Sequence, residues 1–174
     1  MYFNPLQMSM ANKAFQDAEK VAGRYFNLSP DKMKQHRYDV KTLAYLEDHE
    51  VKDGAFAHLC KYNYKKDEDK SGLEGFHFYR ICLQDNQILS AIERGHSFVK
   101  LIPLMLYIAT HELVHIVRFD TGEATFDAPL EEKEREEDNV HAITRDILRP
   151  SIYPEVKIIL ECFSNRYKIR DSYN

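Results

Sequence analysis

Leu104-Met105-Leu106-Tyr107-Ile108-Ala109-Thr110-His111-Glu112-Leu113-Val114-His115-Ile116-Val117 decides how this chain is read. The run is apolar on nearly every side, which is the pattern of a buried helix. Inside it stand two histidines four residues apart. On a helix that spacing places His111 and His115 on one face, one turn apart. Two imidazoles aimed at a single point are half of a tetrahedral zinc site. Glu112 follows the first histidine directly, within reach of a metal-activated water that it does not itself displace. Buried neutral imidazoles need partners, so the two histidines require something to satisfy them. The plain alternative is a pair of hydrogen-bonded core histidines.

A third ligand has to come from downstream. After Phe119 the chain carries two turn signals, Asp120-Thr121-Gly122 and Asp127-Ala128-Pro129. From Leu130 a second helix is predicted, acidic in its first half, as the positive end of a helix dipole favours, and ending before Pro150. Val140, Ile143, Ile147 and Leu148 define its apolar face. At 100° per residue Glu137 lies close to that face, and His141 falls one turn later on the same side. Glu136 lies on the other flank. Glu134 and Asp138 point further toward solvent, and Glu131 and Glu132 read as solvated. Of the acidic cluster, Glu137 is therefore the best candidate to turn inward, with His141 placed to orient a ligand.

The remaining elements are read around this pair. Residues 9–25 form a helix with Ala14, Phe15, Ala18, Val21 and Ala22 on one side. Ser29-Pro30-Asp31 starts another, since Ser caps and Pro suits the first helical position. Residues 55–64 are aromatic and read as a strand. A charged loop over 65–75 leads to a second strand over 75–83, with Phe76, Phe78, Arg80 and Cys82 on one face. Residues 84–87 are read as a turn, with Ile88-Leu89-Ser90 pairing back as a hairpin. A last helix spans about 153–167. His36, His49, His58 and His96 have no spacing partner and are assigned to surface or core. The fold class is α+β, mostly helical, with a small antiparallel sheet or hairpin ahead of the His111 helix.

Over about residues 100–148 the chain resembles the gluzincin metallopeptidases, in which H-E-x-x-H on one helix is followed by a Glu ligand on the next. The resemblance implies a small zincin-like domain holding one zinc ion per chain. His111 and His115 match the two histidine ligands, Glu112 the general base and Glu137 the third ligand. His141 takes the place of an Asp that supports the first histidine, a departure from the family pattern. In a second register Glu134 is the ligand and Asp138 its support. In a third option His141 itself binds the metal. The implied activity is peptide-bond hydrolysis, with the substrate added as a strand to a sheet edge. One strand between residues 75 and 90 would be that edge, with His77 and Tyr79 lining the cleft. Tyr107, Tyr153, Tyr167 and His141 are candidate oxyanion donors. Two other classes remain open: a catalytically inactive zincin-like binding or regulatory module, and a metal-free helical interaction protein.

Composition bounds these options. With 174 residues the chain is read as one domain, 1–174. It is parsed as N-terminal helices and sheet over about 9–95, the helix pair over about 100–148 and a C-terminal helix over 151–174. Its net charge of −4 gives no global basic footprint for nucleic acid. No basic segment leads into an N-terminal apolar core, so no signal peptide is expected. The stretch 98–110 is short for a membrane span and contains Lys100 and Pro103. Cys60, Cys82 and Cys162 are odd in number and lack C-x-x-C spacing, so free thiols in a reducing, cytoplasmic setting are expected, serving core packing. A chain this small has no room for a separate substrate domain. Either a narrow peptide or protein substrate or a partner chain is expected.

Overall fold

In the computed structural model of the protein, which describes residues 1–64, 76–96, 98–151 and 153–164, six helices and one three-stranded sheet are formed. In chain order they are α1 (Pro5–Tyr25), the single turn α2 (Pro30–Met33), β1 (Tyr38–Lys41), β2 (Ala57–Tyr64), β3 (Phe76–Leu83), α3 (Asp85–Arg94), α4 (Leu101–Asp120), α5 (Leu130–Leu148) and α6 (Pro154–Ser164). Two 3-10 turns, Leu43–Tyr45 and Asp48–Glu50, lie between β1 and β2. The class is α+β, as expected. The expected loop over 65–75 and the end of the expected last helix, with Tyr167, lie outside the described residues.

The apolar run is α4, and it is the centre of the molecule. Every residue from Pro103 to Val117 is buried. Pro103 sits in the first turn, where backbone N–H groups have no partner within the helix anyway. The helix stops at Gly122, whose φ of +77° only glycine adopts at no cost, and Glu123 N–H donates back to the Arg118 carbonyl at 3.0 Å. By length and composition α4 could cross a membrane, yet 83% of its most apolar window lies inside the fold, as in a core helix.

Helix α1 lies along α4 through Ala11, Ala14, Phe15, Ala18 and Ala22. Its small residues let the two backbones approach closely. It begins at Pro5, earlier than the expected residue 9, because Asn4 and Gln7 form a capping box with both hydrogen bonds at 2.9 Å. Ser29 caps α2 as read from the sequence, accepting from Lys32 N–H.

The sheet has strand order β1-β3-β2, with β1 parallel and β2 antiparallel to β3. Ala57, Leu59, Tyr79, Ile81 and Leu83 face the helices and are buried. The opposite face carries His58, Cys60, Tyr62, Phe78, Arg80 and Cys82. Three expectations are corrected here. Strand β3 is the central strand, so no sheet edge lies along it where β1 pairs with it. Tyr79 is 1% exposed and lines no open cleft. Residues 85–94 form helix α3, not a turn and hairpin. The reason is twofold: Ile88, Leu89 and Ile92 recur at helical spacing, and the buried Asp85 side chain is committed to tying distant chain together. It accepts from Phe3 N–H at 2.8 Å and Leu43 N–H at 3.0 Å. The antiparallel partner of β3 is β2, which precedes it. The four-residue β1 was missed altogether.

On the outer face Tyr62 stacks on Phe78 and Tyr64 on Phe76 across the β2–β3 pair. Arg80 bridges Asp39 at 2.8 Å and the buried Glu50 at 3.0 Å. Burial alone would raise the Glu50 pKa, but the Tyr62 hydroxyl, the backbone and Arg80 hold it down to about 2, against an ordinary 4.5. A depressed folded-state pKa gives stability that is present above pH 4.5 and lost as pH falls toward 2. Urea unfolding midpoints should therefore drop over that interval for the wild-type chain. Glu50→Gln should be less stable near neutrality and show a flatter acid limb; an acid limb unchanged by the substitution would refute the assignment.

Candidate metal centre

Helices α4 and α5 are joined by a nine-residue connection over 121–129 and pack against each other. Their facing sides bring His111, His115 and Glu137 together. His111 Nε2 and His115 Nε2 are 3.2 Å apart. Glu137 Oε2 lies 3.3 Å from His111 Nε2, and Glu137 Oε1 lies 3.1 Å from His115 Nε2. Both histidine side chains are fully buried, and that of Glu137 is 12% exposed.

These three separations can be set against coordination geometry. Tetrahedral ligands at bond lengths of 2.0–2.1 Å stand about 3.3 Å from one another. The two histidine nitrogens stand close to that spacing, and each faces a different oxygen of the Glu137 carboxylate. The 3.2 Å contact between the two Nε2 atoms also suits a hydrogen bond in which one imidazole donates and the other accepts. Two imidazoles with one carboxylate are a donor set that zinc accepts, so the donor types present suit the ion.

The fourth neighbour is His141, one turn beyond Glu137. His111, Glu137 and His141 offer ligand atoms that lie within 4.8 Å of one another. His141 Nδ1 is hydrogen-bonded to the Tyr107 hydroxyl at 2.7 Å, and the Tyr107 ring stacks on the His141 ring. Tyr107 sits one turn before His111 on α4. It fixes the orientation of His141, so His141 can steady a ligand or enter the coordination sphere itself.

Glu112 is 1% exposed on α4, on the turn between the two histidines. Glu134 and Asp138 are exposed, so α5 directs neither one into the α4–α5 interface. Glu131 and Glu132 are exposed as well. Glu136, on the other flank, is buried and held by Arg118, whose Nε and Nη2 donate to its two carboxylate oxygens at 2.5 and 3.0 Å. This bidentate clamp joins α4 to α5 one residue away from Glu137 and fixes the turn that presents it. Sequence reasoning passed over Arg118. Its signal was a cation one turn after His115 in an otherwise apolar helix, which needs an acidic partner.

Of the other candidates, Tyr153 lines a groove with Lys13, Asp17 and Leu106 on the α1 side of the fold. His77 is surface-exposed, and its Nε2 bonds Asp120 at the end of α4, which also bonds His36 Nδ1, both at 2.8 Å. That His36–Asp120–His77 bridge was not legible from spacing, because its members lie on three different elements. Beyond the site, Phe119 links His115 to the sheet, stacking on both His115 and Tyr79.

Set against known proteins, the chain matches no family model, no curated protein and no solved structure. The gluzincin resemblance therefore rests on the sequence motif alone.

Proposed function

We propose that the protein is a zinc-dependent metallopeptidase that hydrolyses peptide bonds. The observation supporting this reading best is that His111 Nε2 and His115 Nε2, on the same helix as Glu112, stand 3.2 Å apart and lie 3.3 and 3.1 Å from the two oxygens of the Glu137 carboxylate. His111, His115 and Glu137 would hold one zinc ion per chain. The ion would polarise the scissile carbonyl and lower the pKa of water to about 7. Glu112 takes the proton of the attacking water and delivers it to the departing amine. Tyr107 and His141 form a hydrogen-bonded pair, and in this reading one of them would donate toward developing negative charge. The substrate is a peptide or protein, the setting is cytoplasmic, and a partner chain could complete the cleft.

One observation favours a second reading. His111, Glu112 and His115 are all within 1% of complete burial, and closed metal sites are more often structural than catalytic. A zincin-like module that binds metal without turnover would be built this way.

Zinc-loaded protein incubated with an unfolded protein substrate and a peptide library separates the two. The peptidase reading expects cleavage that a zinc chelator abolishes and added zinc restores. Stoichiometric zinc with no cleavage would overturn it in favour of the binding module.

A further inference from the structure

The outer face of the sheet holds a second reactive cluster, on the side of the sheet away from the helices. Cys60 on β2 and Cys82 on β3 lie on a cross-strand diagonal, since Cys60 is registered with Arg80 and His58 with Cys82. Their sulfurs are 4.0 Å apart, with the Cys82 thiol donating to Cys60 Sγ. His58 Nδ1 lies 3.7 Å from Cys60 Sγ on the other side. Cys82 is fully buried, whereas Cys60 is half-buried. Of the two residues, only Cys60 keeps part of its surface exposed to solvent.

We propose that Cys60 and Cys82 form a reversible dithiol–disulfide pair, in which Cys60 reacts first with a low-molecular-weight disulfide and Cys82 resolves the adduct. The Cys60 thiolate attacks one sulfur of the reagent, forming a mixed disulfide and expelling the reagent's other half as a thiolate. Cys82 then gives up its proton to water or to a departing thiolate. Its sulfur attacks Cys60 Sγ and expels the second half of the reagent. The balance is two protein thiols and one small disulfide giving one protein disulfide and two small thiols.

The environment supports the order of events. The hydrogen bond from Cys82, with His58 beside it, holds the Cys60 thiol well below the ordinary thiol range despite its partial burial. The same contact, together with burial, pushes Cys82 up. The attacking thiol is therefore the more accessible one, and the buried thiol is the resolver. Diagonal positions stand wider apart than a relaxed disulfide favours, so closing this bond pulls on the strands and leaves it easily reopened by dithiols. Exposed Cys162 on α6 serves as an internal reference.

The test uses the full chain with glutathione disulfide at neutral pH, acid quenching, alkylation of remaining thiols, and mass mapping of unreduced peptides. The expected result is a Cys60–Cys82 cross-link, a protein mass lowered by two hydrogens at that pair, and at most a simple glutathione adduct at Cys162. Dithiothreitol should reverse it. Cys82→Ser should instead accumulate a stable glutathione adduct at Cys60. Cys60 and Cys82 both recovered as alkylated thiols while Cys162 reacts would overturn the proposal. So would a Cys60 adduct in the wild-type chain that never advances to the cross-link. The wild-type map decides the matter even if Cys82→Ser fails to fold, and it is independent of the metal site.

Discussion

Glu112→Gln is expected to lower peptide hydrolysis by about three orders of magnitude while zinc remains at one per chain. The side chain is 1% exposed in a tightly filled helix, so an isosteric amide keeps the volume and leaves the packing around His111 and His115 unchanged. Only the proton acceptor is lost. Because the amide cannot take the water proton, the loss should appear in kcat with little change in KM. Steady-state kinetics on a cleaved library peptide, with zinc measured on the same samples, checks both halves. Retained activity would remove Glu112 from the role of base. Zinc lost along with activity would mean that Glu112 supports the ligands.

Glu137→Ala is expected to weaken zinc binding by more than about 100-fold, the upper range for residues that merely support a ligand. Glu134→Ala should leave zinc affinity unchanged. The contrast follows from placement: the Glu137 carboxylate lies 3.1 to 3.3 Å from the two histidine nitrogens, whereas Glu134 is exposed. His141→Ala should fall between them, by about 10- to 100-fold, if Tyr107 and His141 act by orienting a ligand. Competition with a chromophoric chelator ranks all three. Glu134→Ala weaker than Glu137→Ala would move the third ligand to the other register. His141→Ala as damaging as Glu137→Ala would make His141 a ligand in its own right.

What could be read from the chain follows from how local each signal is. The two site helices were legible because each repeats its pattern over several turns, and a face computed at 100° per residue singled out Glu137 against its acidic neighbours. The hairpin expected over residues 84–90 is a helix instead, because a short apolar run after a polar tetrapeptide suits hairpin and helix alike. The partners of the buried Asp85 carboxylate, Phe3 and Leu43, lie far away in sequence. The start of α1 was missed through an overlooked capping box at Asn4 and Gln7. Strand register is not written in local pattern. That is why the central position of β3 and the Cys60–Cys82 diagonal emerge only from the folded chain.

One zinc ion held by His111, His115 and Glu137 is the property on which the proposed chemistry depends. Elemental analysis of the purified chain and of the His111→Ala/His115→Ala double variant addresses it most directly. The prediction is about one zinc per wild-type chain, retained through gel filtration, and none in the double variant. No zinc in the wild-type chain, even after zinc is added back, would contradict it. His111, His115 and Glu137 would then be a buried hydrogen-bonded cluster in a helical core.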